Sequence, residues 1–203
     1  FADQVSEIPF SGDLFKYFPE KWRAQSSGRL LSSVLVRIEQ AREPQAAIER
    51  IQKVGADWFF DEGMAAAFVL EKEAAIVGDF RLDAQDHIRF AVFQIGNTGA
   101  HRMGRIVQRL IEIETYKTMS MLTLPIARDV FAGLSDLDRD LGAVVAGMSK
   151  EAENPQAELN TLLDISSKIE SFSAKTTFRF TAAEAYSALV YARVDVLLEE
   201  RLA

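Results

Sequence analysis

The run Gly99-Ala100-His101-Arg102-Met103-Gly104-Arg105-Ile106 carries two glycines at the spacing of a phosphate-binding loop, after a strand pattern and before a helical one. A working loop of that kind follows its second glycine with Lys and then Ser or Thr, which reach the β- and γ-phosphates and a Mg²⁺ ion. Arg105 and Ile106 stand in those places. The run therefore reads as a strand-to-helix turn whose glycines allow tight packing, and no cofactor is expected. The two histidines, His87 and His101, lie in different segments with no carboxylate at ligand spacing, so no metal site is expected and each reads as a solvated turn residue. Asp136, Asp138 and Asp140 alternate along a helical stretch. Side chains two apart do not share a helix face, so these three read as a polar face near a helix start. Asp57, Asp61 and Glu62 flank Trp58-Phe59-Phe60, which is expected in a core or an interface. With no cysteine in the chain, thiolate chemistry and disulfides are excluded. No catalytic set is visible.

The most informative run is Gly104 to Lys117, GRIVQRLIEIETYK. Projected at about 100° per residue, Ile106, Val107, Leu110, Ile111 and Ile113 cover one arc, and Arg105, Gln108, Arg109, Glu112 and Tyr116 the opposite one. Glu114 breaks the pattern by projecting into the apolar arc, with Lys117 three residues on. An ionised carboxylate in such a place needs a partner. The simplest role is a structural lock closed by Lys117 or by an arginine from another helix. A cation or proton pathway, or a switch, is the functional alternative. Arg105, Arg109 and Glu112 form a laddered surface or an interface with another chain.

These residues must be positioned by the elements around them. The 203 residues suffice for one domain or two small ones, and 48% hydrophobic with 26% charged residues is globular composition. A net charge of −7 argues against nucleic acid as a partner, since that binding needs Lys and Arg on phosphates. Residues 1–28 are irregular, interrupted by Pro9, Pro19 and Gly28, with Phe10, Phe15, Tyr17, Phe18 and Trp22 available to pack on a neighbour. Leu30–Glu39 reads as a strand, Pro44 opens a short helix to about Val54, and Ala66–Glu71, Ala74–Leu82 and Ile88–Ile95 are three further strands. Asp83-Ala84-Gln85-Asp86 supplies a polar turn between the last two. From Gly99 onward the pattern is helical, broken or kinked at Pro125 and restarted at Asn154-Pro155. Thr181-Ala182-Ala183-Glu184 matches a capping box, and the helix it opens runs on without a stop signal through Ala203. The fold class is α+β: a small, mainly antiparallel sheet in β-α-β-β-β order, then long amphipathic helices forming an antiparallel bundle or stalk. The division falls into an α/β head over residues 1–97 and a helical part over 98–203.

The run GRIVQRLIEIETYK, with Leu122-Thr123-Leu124-Pro125-Ile126-Ala127-Arg128 behind it, resembles a bacterial family of membrane-anchored proteins, domain of unknown function 3422. The strand Val77-Gly78-Asp79-Phe80-Arg81, the hairpin to Phe93 and the segment Thr176–Tyr186 share the resemblance. Gly104, Arg105, Gln108, Arg109, Glu112, Glu114, Tyr116 and Pro125 match the family pattern, Lys117 stands where Arg is common, and Gly96–Gly99 replaces a turn that usually holds Pro. The resemblance implies an inner-membrane protein anchored by segments outside this chain, with this portion in the cytoplasm. A chain opening on Phe1-Ala2-Asp3 fits an internal piece of it. The expected role is a non-enzymatic assembly or regulatory domain working as a homo-oligomer. Two alternatives stand beside it: the cytoplasmic part of a CorA-like divalent-cation channel, and an enzyme whose site gathers Glu114, Tyr116 and Arg109 from apart.

Overall fold

In a computed structural model of the chain, residues 9–10, 18–25, 27–60, 62–148, 155–197 and 200–201 are described. In order, the elements are α1 (Glu20–Gln25), β1 (Val34–Ala41), α2 (Pro44–Trp58), β2 (Ala65–Val69), β3 (Ala74–Leu82) and β4 (Ile88–Ile95), then α3 (Ala100–Met121), α4 (Leu124–Met148), α5 (Pro155–Leu197) and β5 (Glu200–Arg201). By compactness the chain forms two units. One comprises residues 1–118 together with 190–203, and the other residues 119–189. The helix α3 thus groups with the sheet, and its apolar face shows why.

The sheet has the strand order β1-β4-β3-β2-β5. The hairpin partners β2, β3 and β4 are antiparallel, β5 adds antiparallel to β2, and β1 alone lies parallel, beside β4. The class is α+β, as the sequence pattern leads one to expect. The central strands β3 and β4 bury side chains on both faces. On one side Ala75, Val77, Ala91 and Phe93 meet Ala47, Ile51, Val54 and Trp58 of α2. On the other, Ala74, Ile88, Phe90 and Val92 meet Met103, Ile106 and Leu110 of α3, with Leu197 from the end of α5. Each such large apolar side chain stabilises by about 1.5–3 kcal/mol when fully buried.

Several boundaries differ from the sequence reading. The first strand begins at Val34 rather than Leu30, because its register with Ile88 sets its start and leaves Leu30 and Leu31 exposed. The helix α2 continues past Val54 to Trp58, whose ring the core holds between Phe10 and Phe93. Phe15 and Tyr17 lie outside the described residues. On β3 the ladder passes from Gly78↔Phe90 to Leu82↔Ile88, so Asp79, Phe80 and Arg81 face Arg89 alone. Phe80 takes a positive φ of 54° in this bulge and is exposed, which ends the strict alternation.

In the second unit α4 and α5 run antiparallel, since the Phe172 ring lies against Gly133 while Glu158 lies against Gly147. The chain breaks at Leu122-Thr123 and restarts with Pro125 in the first turn of α4, where a missing N–H does no harm. Asp136, Asp138 and Asp140 are exposed in the middle of α4, away from its start. The capping-box reading at Thr181 fails, because α5 is unbroken from Pro155 to Leu197. A cap needs a non-helical residue, whereas the chain reaching Thr181 is already helical, with the Thr176 and Thr177 hydroxyls donating back to carbonyls of the preceding turn. Nor does the helix run on through Ala203: it ends at Leu197, whose carbonyl accepts the Leu70 N–H at 3.0 Å, and Glu200–Arg201 pair with β2.

Gly78 marks the tightest approach in the sheet. A Cβ there would lie 2.7 Å from Phe90 Cδ1 and 3.3 Å from the Arg89 carbonyl. Gly78→Ala is expected to lower stability by about 1–3 kcal/mol through overpacking, read as a lower urea midpoint; an unchanged midpoint would show that the ring moves freely.

Candidate functional site on α3

The side of α3 that faces the sheet carries Met103, Ile106, Leu110 and Glu114 at helical spacing. Ile111, assigned to that arc by projection, is exposed. Glu114 is 3% exposed. Lys117 Nζ sits 2.5 Å from Glu114 Oε2, and the Thr118 hydroxyl donates to Oε1 at 3.2 Å. The ammonium contact is an ion pair without the angle of a directed hydrogen bond, since Oε2 has no hydrogen-bond donor. The ammonium also lies 5.5 Å from the centre of the Phe80 ring, which packs edge-on against Phe90. The misplaced carboxylate, its lysine and the bulge aromatic thus form one structural unit joining α3 to β3.

The opposite face of α3 is polar. Gln108 Nε2 donates to Glu112 Oε1 at 2.8 Å, and Arg193 of α5 pairs with the other Glu112 oxygen. These two hydrogen bonds, with the Arg109 charge beside them, hold the Glu112 carboxyl below its ordinary pKa. Nearer the start of the helix, Arg102 pairs with Glu73. Among the described residues neither Arg105 nor Arg109 has an ion-pair partner. Both open onto a shallow depression of about 250 Å³ completed by Leu70, Glu71, Glu73 and Arg102. A second open depression, of about 510 Å³, adjoins it through Glu73, Arg102 and Arg105 and takes in Asn97-Thr98-Gly99 and His101.

The β2–β3 turn forms the wall of the first depression, and it is strained. Leu70, Glu71 and Lys72 have φ of 52°, 58° and 67°, three consecutive left-handed residues without a glycine. Such a conformation costs roughly 1–2 kcal/mol per residue. The contacts that hold it are the Leu70 N–H on the Leu197 carbonyl, the Glu73 N–H on the Leu70 carbonyl at 3.2 Å, and the Glu73–Arg102 pair. Two guanidiniums on an open surface suit carboxylate or phosphate groups carried by a partner. Neither depression includes Glu114 or Tyr116.

Among other polar groups, Asp79 and Glu39 escaped the sequence reading, and His87 is placed differently from it. Asp79, its side chain fully buried, accepts the Phe60 N–H at 3.0 Å and the Arg81 N–H at 3.2 Å, and pairs with Arg89 Nη2 at 3.2 Å. The Arg89 guanidinium lies over the Phe59 and Phe60 rings. This carboxylate builds the β3 bulge, and only its odd place in an apolar strand signals it. His87 is 6% exposed rather than solvated, with Nδ1 2.7 Å from the Ser33 hydroxyl, and so ties the start of β1 to the start of β4. His101 is exposed. Glu39 receives Arg37 Nε at 2.7 Å and Arg50 Nε at 2.9 Å, while both guanidiniums lie over the Trp58 ring. Burial by itself would raise the Glu39 carboxyl, but the hydrogen bonds and charges of Arg50 and Arg37 outweigh it and lower its pKa. Among the described residues no three His, Asp or Glu side chains come together as a metal site.

The profile of one family, described as "Protein of unknown function (DUF3422)", matches residues 1–203, the whole chain. The chain belongs to that family. No curated protein and no solved structure matches it. No helix among the described residues is long and apolar enough to cross a membrane. Membership in the family carries the sequence likeness over the full length and assigns no activity.

Two stability predictions follow the ion pairs. Lys117→Met leaves Glu114 buried without its cation and is expected to cost about 1–3 kcal/mol. The double variant Glu114→Leu with Lys117→Met should recover most of that loss, because replacing both partners removes the unpaired charge. Denaturant titrations of the two variants check this; equal losses would show that Glu114 does not depend on Lys117. For Glu39 the folded pKa lies below the ordinary value of 4.5. Its contribution is therefore present above that value and fades as pH falls from it through the lowered pKa. Partial exposure screens the size of the effect. Glu39→Gln should flatten stability against pH in that acidic window; an unaltered acid slope would remove Glu39 as its source.

Proposed function

We propose that this chain is a non-enzymatic assembly domain, one that holds chains together rather than turning over a substrate. The observation that carries the proposal is the apolar surface of the α4–α5 hairpin. Among the described residues of that unit only Leu137, Val144, Ile165 and Thr176 are buried, while Phe131 is 75% exposed, with Leu134, Leu141 and Ile169 also open. A pair of amphipathic helices with so little of its apolar surface covered gains stability by packing against further helices. The α3 face supports the same role. Its carboxylates are engaged, Glu112 with Arg193 of α5 and Glu114 with Lys117 of its own helix, and its remaining guanidiniums, Arg105 and Arg109, are of the kind that dock on an acidic partner. A membrane anchor enters only through the sequence resemblance and would belong to segments outside these residues.

The test is the native mass of the full-length protein, tagged and released from cells in mild detergent. An assembly domain is expected to give a complex heavier than one chain, and Phe131→Lys should shrink it while circular dichroism keeps its helix signal. A full-length protein found only as a single chain, before and after that substitution, would sink the proposal.

A further inference from the structure

The exposed apolar side chains of α4 are not scattered. On α4, Phe131, Leu134, Leu141 and Val145 fall in one stripe at helical spacing, next to the stripe of Leu137 and Val144 that is buried against α5. Phe131, Leu134 and Leu141 line a groove of about 400 Å³ with Asp138, Ile165 and Ile169. Leu124 at the start of α4 and Phe180 on α5 fall on the same sides of their helices by spacing, and both are more than a third exposed. Together, Leu124, Phe131, Leu134, Leu141, Val145, Ile169 and Phe180 leave on the order of 600 Å² of apolar surface open per chain, taking typical side-chain areas. Doubled, that reaches roughly 1,200 Å², the lower end of the range for specific interfaces.

The two walls of the groove are shaped differently. The α4 wall is a row of large side chains. On α5 the series Leu162, Ser166, Ile169, Ser173 alternates large with small at steps of four and three residues. A two-fold contact requires one patch to be complementary to itself. The α4 ridge and the small residues of α5 are complementary in that sense, since a ridge laid over the α5 series of a second copy is matched by the same contact in reverse. The polar residue in the groove, Asp138, then meets the Ser166 and Ser173 hydroxyls, which can donate to it.

We infer that a second copy of this chain covers the groove, the two α4–α5 hairpins closing into a four-helix bundle by two-fold pairing. The inference rests on the assembly reading and narrows its partner to the chain itself. Equilibrium sedimentation of the purified chain across the micromolar range tests it. The expected result is a two-chain species whose dissociation constant rises about tenfold or more on Phe131→Lys, and likewise on Val145→Lys should the first variant lose its helix signal. Phe178→Lys, which lies on the other side of α5 from the groove, should leave the constant unchanged. A folded chain that sediments as one copy throughout overturns the pairing, and so does Phe178→Lys weakening it as much as Phe131→Lys. A cellular complex holding a single copy with a different protein also overturns self-pairing, and in that case the assembly role itself stands.

Discussion

The two central strands of the sheet are apolar on both faces, and the rest of the unit around them answers to that constraint. Phe90 and Val92 point to one side of β4, Ala91 and Phe93 to the other, and each is almost completely buried. Neither face can be left to water, so one helical layer has to cover each. The first layer, α2, is supplied locally, between β1 and β2. The second needs α3 and also Leu197, which lies more than seventy residues beyond the end of α3. The covering of one strand face therefore draws on residues that precede and follow the long helical excursion in sequence.

The polar groups inside this unit lie where the apolar layers end. Asp79 accepts the Arg81 N–H at the β3 bulge and the Phe60 N–H just beyond α2, and it pairs with Arg89, which lies over the Phe59 and Phe60 rings. Glu39 gathers Arg37 and Arg50 on Trp58, and Glu114 holds Lys117 over Phe80. In each case a carboxylate, a cation and an aromatic ring occur together. The ring gives the apolar stem of the cation something to pack on while its charge stays beside the carboxylate. The result is a set of directional ties at the rims of a core that would otherwise be held only by non-directional burial. Arg105 and Arg109 lack such a tie among the described residues, which sets the α3 surface apart from the other charged sites.

What could be read from the sequence was what depends on neighbours in the chain. The bounds of β3 and β4 follow from two short apolar runs on either side of the polar turn at Asp83–Asp86, and Glu114 could be singled out because one helical projection suffices to find it. Pairings between distant segments could not be read. Nothing near Val34 announces a parallel partner at Ile88, and nothing near Glu200 announces β2. The capping box at Thr181 misled because its residues suit a helix start locally, while the chain before them was already helical. Asp79 lies within the expected strand Ala74–Leu82, and only its carboxylate bonds reveal the bulge that interrupts that strand's pairing. The arginine surface was legible as a face of α3, but its neighbour, the left-handed turn at Leu70–Lys72, carries no glycine to signal it.

The helical hairpin of residues 119–189 is inserted within the other unit, whose own residues resume at Val190. That arrangement has a consequence for the order of synthesis. A growing chain folds its units from the N-terminal end, at about 5–20 residues added per second. Here β1 to β4 and α2 emerge early, yet the Leu197 side chain and carbonyl and the β5 edge arrive only after the whole hairpin has been made. The sheet unit therefore spends the time of translating α4 and α5 with the β2 edge unpaired and one apolar contact unfilled. During that interval the nascent protein is open to strand addition by other chains, and completion of the sheet unit waits on residues made only after the hairpin.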